Sequence, residues 1–268
     1  MSGYPDGRTH PSMVPPSQQA RLQHEERIRR QFNHWSASGQ IAEMETWHAP
    51  VTKKLIDRMD LQSDDRILEI GCGEGWAARL LSVRAPEGAV VGIDLADELI
   101  AAARARSIDC HNVLFAPGSA EEIPWAEDYF TRVLSVESAC YWHSPESAVR
   151  EIFRVTAWGG RVFFLMWFYT ENPYSHHWQE HAPAEIHLRS AAEWKELFEL
   201  TGFENVEDDR IPDDTPIPTD FMPDVHWRSR EEKEAFQKEG ALLITGRKPA
   251  MSEPEPPLSI PNPLRIIN

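Results

Sequence analysis

The sequence is poor in cysteine, and the few cysteines it has are not arranged for cross-linking. Its three cysteines, Cys72, Cys110 and Cys140, are odd in number and show no CxxC spacing. This pattern argues against a disulfide framework and against a cysteine zinc site. It indicates reduced thiols, as expected in the cytoplasm.

Basic residues and long apolar runs are also scarce. Lysine and arginine number 27 against 43 aspartate and glutamate residues, a formal net charge of -16. That charge repels the phosphate backbone, so we expect no nucleic-acid partner. The longest apolar run, VFFLMWF at 162–168, is far shorter than the roughly 20 residues of a membrane span. The N-terminus has no apolar signal core, and we predict a cytoplasmic protein without a membrane span.

Proline-rich, poorly patterned segments stand at both ends of the chain. We predict disordered tails over residues 1–18 and 249–268. Residues 19–62 predict a helical cap: Leu22, Ile28, Phe32 and Trp35 form a loose apolar stripe over about 20–35, and a second helix covers 51–59. Residues 63–248 form one predicted domain, because the length suits a single core with additions.

Strand and helix signals alternate from residue 66 onward. The apolar segments RILEIG (66–71), AVVGID (89–94), NVLFAPG (112–118), RVLSVE (132–137) and GRVFFLMWF (160–168) are separated by helical stretches. Ser190 and Glu193 have capping-box spacing, and Gly202 ends the helix they begin. Strands at 203–211 and 241–248 would finish the sheet as a hairpin-like edge. The alternation predicts a parallel sheet with helices on both faces.

A glycine loop follows the first predicted strand, in ILEIGCGEGWAARLL at 67–81. Its glycines make GxGxG, whereas a dinucleotide turn needs GxGxxG; Trp76 holds the third glycine position of that motif. Glu69 and Glu74 flank the loop and disfavour a phosphate. A cationic nucleoside suits this charge, and S-adenosylmethionine carries an ammonium and a sulfonium without phosphate. The glycines are predicted to clear space for such a ligand.

ILEIGCGEG resembles the first motif of class I S-adenosylmethionine-dependent methyltransferases, and the resemblance extends over about residues 60–248. It is closest to the subgroup of ubiquinone/menaquinone, tocopherol and sterol methyltransferases. The resemblance implies an α/β fold: a Rossmann-like, doubly wound, mostly parallel seven-stranded sheet with its last strand antiparallel. It also implies S-adenosyl-L-methionine as the cofactor.

The same resemblance implies which residues bind the cofactor. Asp94 matches the acid that holds the ribose hydroxyls, although the same placement would serve a nicotinamide cofactor. Ser119 stands where many relatives carry the aspartate that meets the adenine, so Ser119, Ala120 and Glu121 all stay candidates for that contact. The predicted cofactor set is Glu69, Gly71, Cys72, Gly73, Asp94, Leu95, Ser119, Ala120, Glu121 and Val136.

The acceptor side is less defined. Methyl transfer needs a general base only if the acceptor must lose a proton, and Glu137, Tyr141 and His143 are the catalytic candidates because they end or follow a predicted strand at the ligand edge. Backbone bonding by Glu137 and loop packing by the other two are the alternative interpretations.

Aromatic and histidine residues outside the predicted strands suggest the substrate contacts. Trp35, Trp47, Trp142 and Trp178 fall in cap or loop segments, and some of them could line an apolar or cationic pocket. Residues 169–190 carry several histidines and are predicted as a polar lid. A His177/His181 pair could instead bind a metal, but we favour the lid and predict no metal. The substrate candidates are Trp35, Trp142, His177 and His181.

The sequence therefore predicts an S-adenosylmethionine-dependent methyltransferase acting on a small molecule by in-line displacement. Two alternatives stay open: a nicotinamide-dependent oxidoreductase on a Rossmann fold, and a non-catalytic protein that binds S-adenosylmethionine or serves as a scaffold. Acceptor atom, substrate and oligomeric state have no signal in the sequence.

Overall fold

A seven-stranded sheet forms the centre of the protein, with the order β3-β2-β1-β4-β5-β7-β6. The computed structural model describes residues 16–182, 184–224 and 226–251. The predicted tails at 1–18 and 249–268 lie outside the described residues, apart from 16–18, which begin a helix, and 249–251.

The seven strands alternate with helices along most of the chain. The strands are β1 (Arg66–Ile70), β2 (Ala89–Asp94), β3 (Val113–Pro117), β4 (Phe130–Val136), β5 (Thr156–Met166), β6 (Glu204–Ile211) and β7 (Ala241–Arg247). The helices are α1 (Pro16–Ser38), α2 (Gln40–Arg58), α3 (Trp76–Arg84), α4 (Asp97–Arg106), α5 (Pro145–Val155), α6 (Ala191–Thr201) and α7 (Arg230–Glu239). Short 3₁₀ helices cover Ala139–Tyr141 and Pro173–His181.

Strands β1 to β5 run parallel, and β7 is antiparallel to both of its neighbours, β5 and β6. The predicted Rossmann-like sheet with an antiparallel last strand is confirmed. Strand β1 lies between β2 and β4, so the direction in which the chain winds across the sheet reverses there. Ligands bind at such a switch point, outside the carboxyl ends of the strands.

Local sequence signals explain several helix ends. The Ser144 hydroxyl accepts from the Ser147 N–H at the start of α5, which has Pro145 at its first position. Ser190 and Glu193 form the predicted capping box of α6. Gly202 ends α6 with a φ of 111°, a left-handed conformation that favours glycine.

Two apolar layers cover the faces of the sheet. One contains Phe130, Phe164 and Trp194, and the other contains Ile67, Leu81 and Phe163. A third, smaller cluster joins the first two helices to the start of α4; its members are Ile41, Ala96 and Leu99, with Phe32, Trp35 and Met44 packed against them. Packing in this cluster holds α1 and α2 over the carboxyl edge of β1 and β2.

The N-terminal helices differ in part from the predicted cap. The second helix starts at Gln40 rather than at 51 and continues through Pro50. Its first turns are held by the packing of Ile41 and Met44 on the start of α4, a tertiary contact that periodicity does not reveal. In α1, Ile28 is buried, but Leu22 is 46% exposed, so the predicted apolar stripe is wrong at Leu22.

Candidate functional site

A cavity opens at the carboxyl edge of β1, β2 and β4, below α1 and α2. All ten residues predicted to bind the cofactor line it: Glu69, Gly71, Cys72, Gly73, Asp94, Leu95, Ser119, Ala120, Glu121 and Val136. We call this space the cofactor cavity. The fold therefore places the residues predicted to bind the cofactor around one continuous surface.

The glycine loop after β1 is held by backbone bonds to β2. The N–H groups of Gly71 and Cys72 both donate to the Ile93 carbonyl, at 2.8 and 3.0 Å. Gly71, Gly73 and Gly75 all have positive φ, of 70°, 52° and 75°, which is why residues with a Cβ are disfavoured there.

The space that the glycines leave is used in different ways. A Cβ on Gly71 would meet the Ser138 side chain at 2.4 Å, and one on Gly75 would meet Phe115 at 2.5 Å. Of the three glycines, Gly73 alone has no atom within 4 Å of the position that a Cβ would take. The expectation that all three glycines make room for a ligand is thus wrong for Gly71 and Gly75, which accommodate the protein's own side chains.

Asp94 ends β2 and connects the two loops at the switch point. Its Oδ2 accepts from the Gly73 N–H and its Oδ1 from the Ala96 N–H, both at 2.9 Å. Burial raises the pKa of Asp94, while these backbone bonds lower it. The carboxylate is thereby fixed in orientation at the cavity wall, with lone pairs left to accept hydroxyl groups.

Glu69 and Glu74, which flank the glycine loop, are in different electrostatic states. Glu69 is 2% exposed, its Oε2 has no hydrogen-bond partner among the described residues, and burial raises its pKa to about 8. Glu74 instead pairs with the Arg106 guanidinium and accepts from the Ser36 hydroxyl. Of the two acids predicted beside the loop, Glu69 is therefore the one without an ion-pair partner among the described residues.

The Glu69 oxygen that lacks a hydrogen-bond partner shows how a cationic ligand would fit the cavity. A buried carboxylate without a partner is costly, and an ammonium would supply the missing charge and donors. Glu69, Asp94 and the open space at Gly73 line the same cavity. These two carboxyl groups and this open space fit a nucleoside that carries an amino acid, as S-adenosylmethionine does.

The first helix supplies part of the cofactor cavity that sequence reasoning missed. Glu25 is 7% exposed and accepts from the Ser119 hydroxyl at 2.7 Å. Arg21 lies 3.7 Å from the same Oε1. Glu25 stands three residues before Ile28 and seven before Phe32, so helical periodicity places it on the buried face and could have revealed it.

A second cavity adjoins the first and shares Met44, His48, Glu137 and Tyr141 with it. We call it the acceptor cavity. Five aromatic side chains line it, from both helices of the cap, the 3₁₀ helix after β4, the segment after β5 and the predicted lid: Trp35, Trp47, Tyr141, Phe168 and Trp178.

The catalytic candidates divide between the cavities. Glu137 and Tyr141 lie where the two cavities meet. His143 lines the cofactor cavity only, where its ring lies 5.3 Å from that of His24. Burial raises the pKa of Tyr141 well above its ordinary value, so its hydroxyl stays protonated at neutral pH.

The substrate candidates also divide. Trp35 and His181 line the acceptor cavity, whereas Trp142 lines the cofactor cavity and packs edge-on against Phe164 at 5.2 Å. His177 lines neither cavity and instead contacts the His226 carbonyl through Nε2 at 3.1 Å. Among the described residues, no group of three or more His, Cys, Asp or Glu side chains could hold a metal.

Two histidines of the acceptor cavity were not anticipated. His48 on α2 packs on Trp167 at 4.5 Å, and burial lowers its pKa to about 4. It stands three residues before the buried Val51 and seven before Leu55, so its inward orientation was readable from the helix period. His226 lies in the loop before α7, where no periodicity exists to place it.

Comparisons with known proteins agree with this geometry. The methyltransferase domain family matches residues 68–164. A chain in the complex between the Haloferax volcanii Trm112 methyltransferase activator and a protein assigned as a methyltransferase is 33% identical, with a TM-score of 0.76. That match covers 81% of this chain and 97% of the other.

Two further proteins are similar to parts of the chain. A malonyl-[acyl-carrier protein] O-methyltransferase of Erwinia pyrifoliae is 31% identical over 48% of this chain and 49% of the relative. The fold is shared with Haemonchus contortus phosphoethanolamine N-methyltransferase 2 in complex with S-adenosyl-L-methionine, which is 20% identical with a TM-score of 0.59, covering 72% of this chain and 51% of that one. Across several curated methyltransferases, the chain spans only 47–61% of their length. No helix among the described residues is long and apolar enough to cross a membrane.

Proposed function

Because the chain belongs to the class I S-adenosylmethionine-dependent methyltransferases, we propose that it transfers a methyl group to a small-molecule acceptor held in the acceptor cavity. The observation that carries this proposal is the junction of the two cavities at the end of β4, where they share His48, Glu137 and Tyr141. A donor in one cavity and an acceptor in the other would meet there.

The cofactor supplies a methyl group on a positively charged sulfur, and we propose that the chain's contribution is to bind and align. Glu69 would pair with the ammonium of the cofactor's amino-acid end, and Asp94 would accept from its ribose hydroxyls. Holding the reacting groups in line, away from water, supplies much of the acceleration for a displacement of this kind. Side chains of α1 and α2 line one wall of the cavity.

The need for a general base depends on the acceptor. Glu137 and Tyr141 both line the junction, but the raised pKa of Tyr141 keeps its hydroxyl protonated at neutral pH, so we propose Glu137 as the base where the acceptor needs one. His143 is placed to serve the cofactor cavity instead.

The predicted alternatives are affected differently by family membership. It sets aside the nicotinamide-dependent oxidoreductase. A non-catalytic protein that binds the cofactor stays a competing proposal, because a fold hosts more than one function. The finer assignments, to the ubiquinone/menaquinone, tocopherol and sterol subgroup and to the cytoplasm, stay predictions.

The proposal is tested in two steps with the full chain. Titration calorimetry with S-adenosylmethionine, S-adenosylhomocysteine and NADH is expected to show binding of the first two only. The protein is then incubated with methyl-labelled cofactor and a cell metabolite extract, and we expect labelled small molecules. Firm cofactor binding without any labelled product would favour the non-catalytic alternative. Because the Haloferax relative is described with an activator, the assay is repeated in whole lysate so that a required partner is present.

A further inference from the structure

Acidic side chains line the acceptor cavity. Its lining contains the carboxyl groups of Glu43 and Glu137, and no lysine or arginine among the described residues lines either cavity. Burial lowers the pKa of both His48 and His226, so these imidazoles are neutral at pH 7 and supply no positive charge. An anionic acceptor would therefore meet no counter-charge, whereas a cation would be attracted.

The aromatic walls favour the same class of ligand. Trp35, Trp47 and Trp178 line the cavity together with Tyr141 and Phe168. The faces of such rings attract ammonium groups through their quadrupoles, most strongly where water is excluded. Apolar area on the walls also suits an acceptor with an aromatic or aliphatic body.

Glu137 lines both cavities, so it lies where the proposed methyl transfer would take place. Its backbone has a φ of 44°, and of the described non-glycine residues with positive φ it is the only one that is neither Asp nor Asn. That conformation is unfavourable for a residue of this type and persists where the surrounding structure enforces it, often at functional sites. The strained turn directs Glu137 to the junction of the two cavities.

Neighbouring backbone groups hold the Glu137 carboxylate in place. Its Oε2 accepts from the Trp167 N–H at 2.5 Å, and its own N–H donates to the Leu165 carbonyl at 2.8 Å. The titratable groups that face it are His48 from α2, and Cys140 and Tyr141 from the 3₁₀ helix after β4. Burial raises the pKa of Glu137 to about 7, which suits a group that takes up a proton at neutral pH.

From these observations we propose that the acceptor is an amine with an apolar or aromatic body, and that Glu137 binds its ammonium and accepts its proton. The inference rests on the proposed methyl transfer. The ammonium gives one proton to Glu137, and the neutral nitrogen then forms the new N–C bond as the C–S bond of the donor breaks. The electron pair of that bond stays on sulfur, the product leaves as a methylated ammonium, and Glu137 releases its proton to solvent.

The first experiment measures binding with three probes of similar shape and different charge. In the presence of saturating S-adenosylhomocysteine at pH 8, titration calorimetry is carried out with 2-phenylethylamine, 2-phenylethanol and 3-phenylpropionate. We expect the amine to bind about tenfold more tightly than the alcohol, and the carboxylate to bind most weakly. Carboxylate binding as tight as amine binding would overturn the proposal.

Variants separate the role of the carboxylate from a role in folding. Glu137→Gln keeps the shape and is expected to weaken amine binding about tenfold while leaving the alcohol unchanged. Glu137→Gly suits the positive φ, so it should fold and show the same selective loss. Glu196→Gln, on the exposed face of α6, is the matched control and should change neither. Equal losses for amine and alcohol in both Glu137 variants would contradict the assignment.

The second experiment identifies the class of product. Labelled compounds from the metabolite extract are separated on cation- and anion-exchange resins, and we expect the label among the compounds retained by the cation exchanger. Label confined to acids and neutral compounds would overturn the amine proposal and leave methyl transfer standing. If no product forms although the cofactor binds, methyl transfer itself fails, and the probe titrations still decide whether Glu137 binds amines.

Discussion

At the scale of single residues, Glu25 is a candidate for the adenine contact in the cofactor cavity, which the sequence did not assign to one residue. Ser119 is one of the residues predicted from the resemblance for the adenine contact, and its hydroxyl donates to Glu25 Oε1 at 2.7 Å. Glu25 lines the cofactor cavity and is 7% exposed. A carboxylate from α1 thus lies beside one of the residues predicted for that contact.

We expect Glu25→Ala to weaken S-adenosylhomocysteine binding about tenfold, on the order of one lost hydrogen bond to a charged group. Titration calorimetry measures this directly. The discriminating ligand is S-inosylhomocysteine, which lacks the adenine amino group, and for which the variant should bind as the parent protein does. Glu122→Ala is the matched control, because Glu122 also pairs with Arg21 but does not line the cofactor cavity. Equal losses for the two ligands would show that Glu25 does not contact the amino group.

Residues of the same site differ in how far the sequence could predict them. The loop after β1 was readable because its positive φ values require glycine and because Asp94 follows at the end of the next strand. The inward position of Glu25 was readable from the helix period, but its partner was not, because Ser119 is 94 residues away and pairing at that distance leaves no local pattern. The strain at Glu137 was equally invisible, since a left-handed glutamate arises from tertiary constraint rather than from propensity.

At the scale of elements, α1 contacts three different loops at the carboxyl edge of the sheet. Arg29 Nε donates to the Leu95 carbonyl at 2.9 Å, Ser36 donates to Glu74 at 3.3 Å, and His24 Nε2 contacts the Tyr141 carbonyl at 2.8 Å. These loops follow β2, β1 and β4 respectively. Because α1 lies over the cofactor cavity, we expect these contacts to hold the helix over a bound ligand and to slow its release.

Arg29→Ala should therefore increase the dissociation rate constant of S-adenosylhomocysteine, by about fivefold for the loss of one charge-assisted hydrogen bond. Stopped-flow tryptophan fluorescence gives this rate. Arg30→Ala is the control: both arginines pair with Glu26, but only Arg29 reaches the loop after β2. If both variants accelerate dissociation equally, the contact with Leu95 does not hold the helix over the cavity.

The alternating elements of the sheet were predictable and the cap was less so, for a physical reason. Strands β1, β2, β4, β5 and β7 contain buried apolar runs whose composition marks them, whereas β3 buries only Phe115. The first turns of α2 are stabilised by Ile41 and Met44 on α4, and the 3₁₀ helix over Pro173–His181 is fixed by Ser175 donating to the Trp167 carbonyl at 3.0 Å. Such elements take their structure from distant contacts, so periodicity gave only their approximate place.

At the scale of the whole molecule, a fold with formal charge -16 buries acidic groups beside its ligand site. Burial raises the pKa of Glu69 from an ordinary 4.5 to about 8 and that of Glu137 to about 7. A carboxyl group whose pKa is higher in the folded than in the unfolded state favours folding at low pH. This contribution is lost as the pH rises through the folded-state pKa.

The protein without cofactor should accordingly become less stable between pH 6 and pH 9. We expect Glu69 to account for a fall of about 2 kcal/mol in the free energy of unfolding over this interval. Urea denaturation at several pH values measures it, and Glu69→Gln should show a smaller dependence, since an amide does not ionise. Glu137 contributes in the same direction in both proteins, so the difference between them isolates Glu69.

S-adenosylhomocysteine extends the same test to the site, because its ammonium would pair with the ionised Glu69 and lower the pKa of that carboxyl group. Binding below pH 8 should then release a proton in the parent protein. Calorimetry in buffers of different ionisation enthalpy detects the release, and Glu69→Gln should reduce it. If parent and variant release protons equally, Glu69 is not the partner of the ammonium, and its orphaned oxygen has to be satisfied in another way.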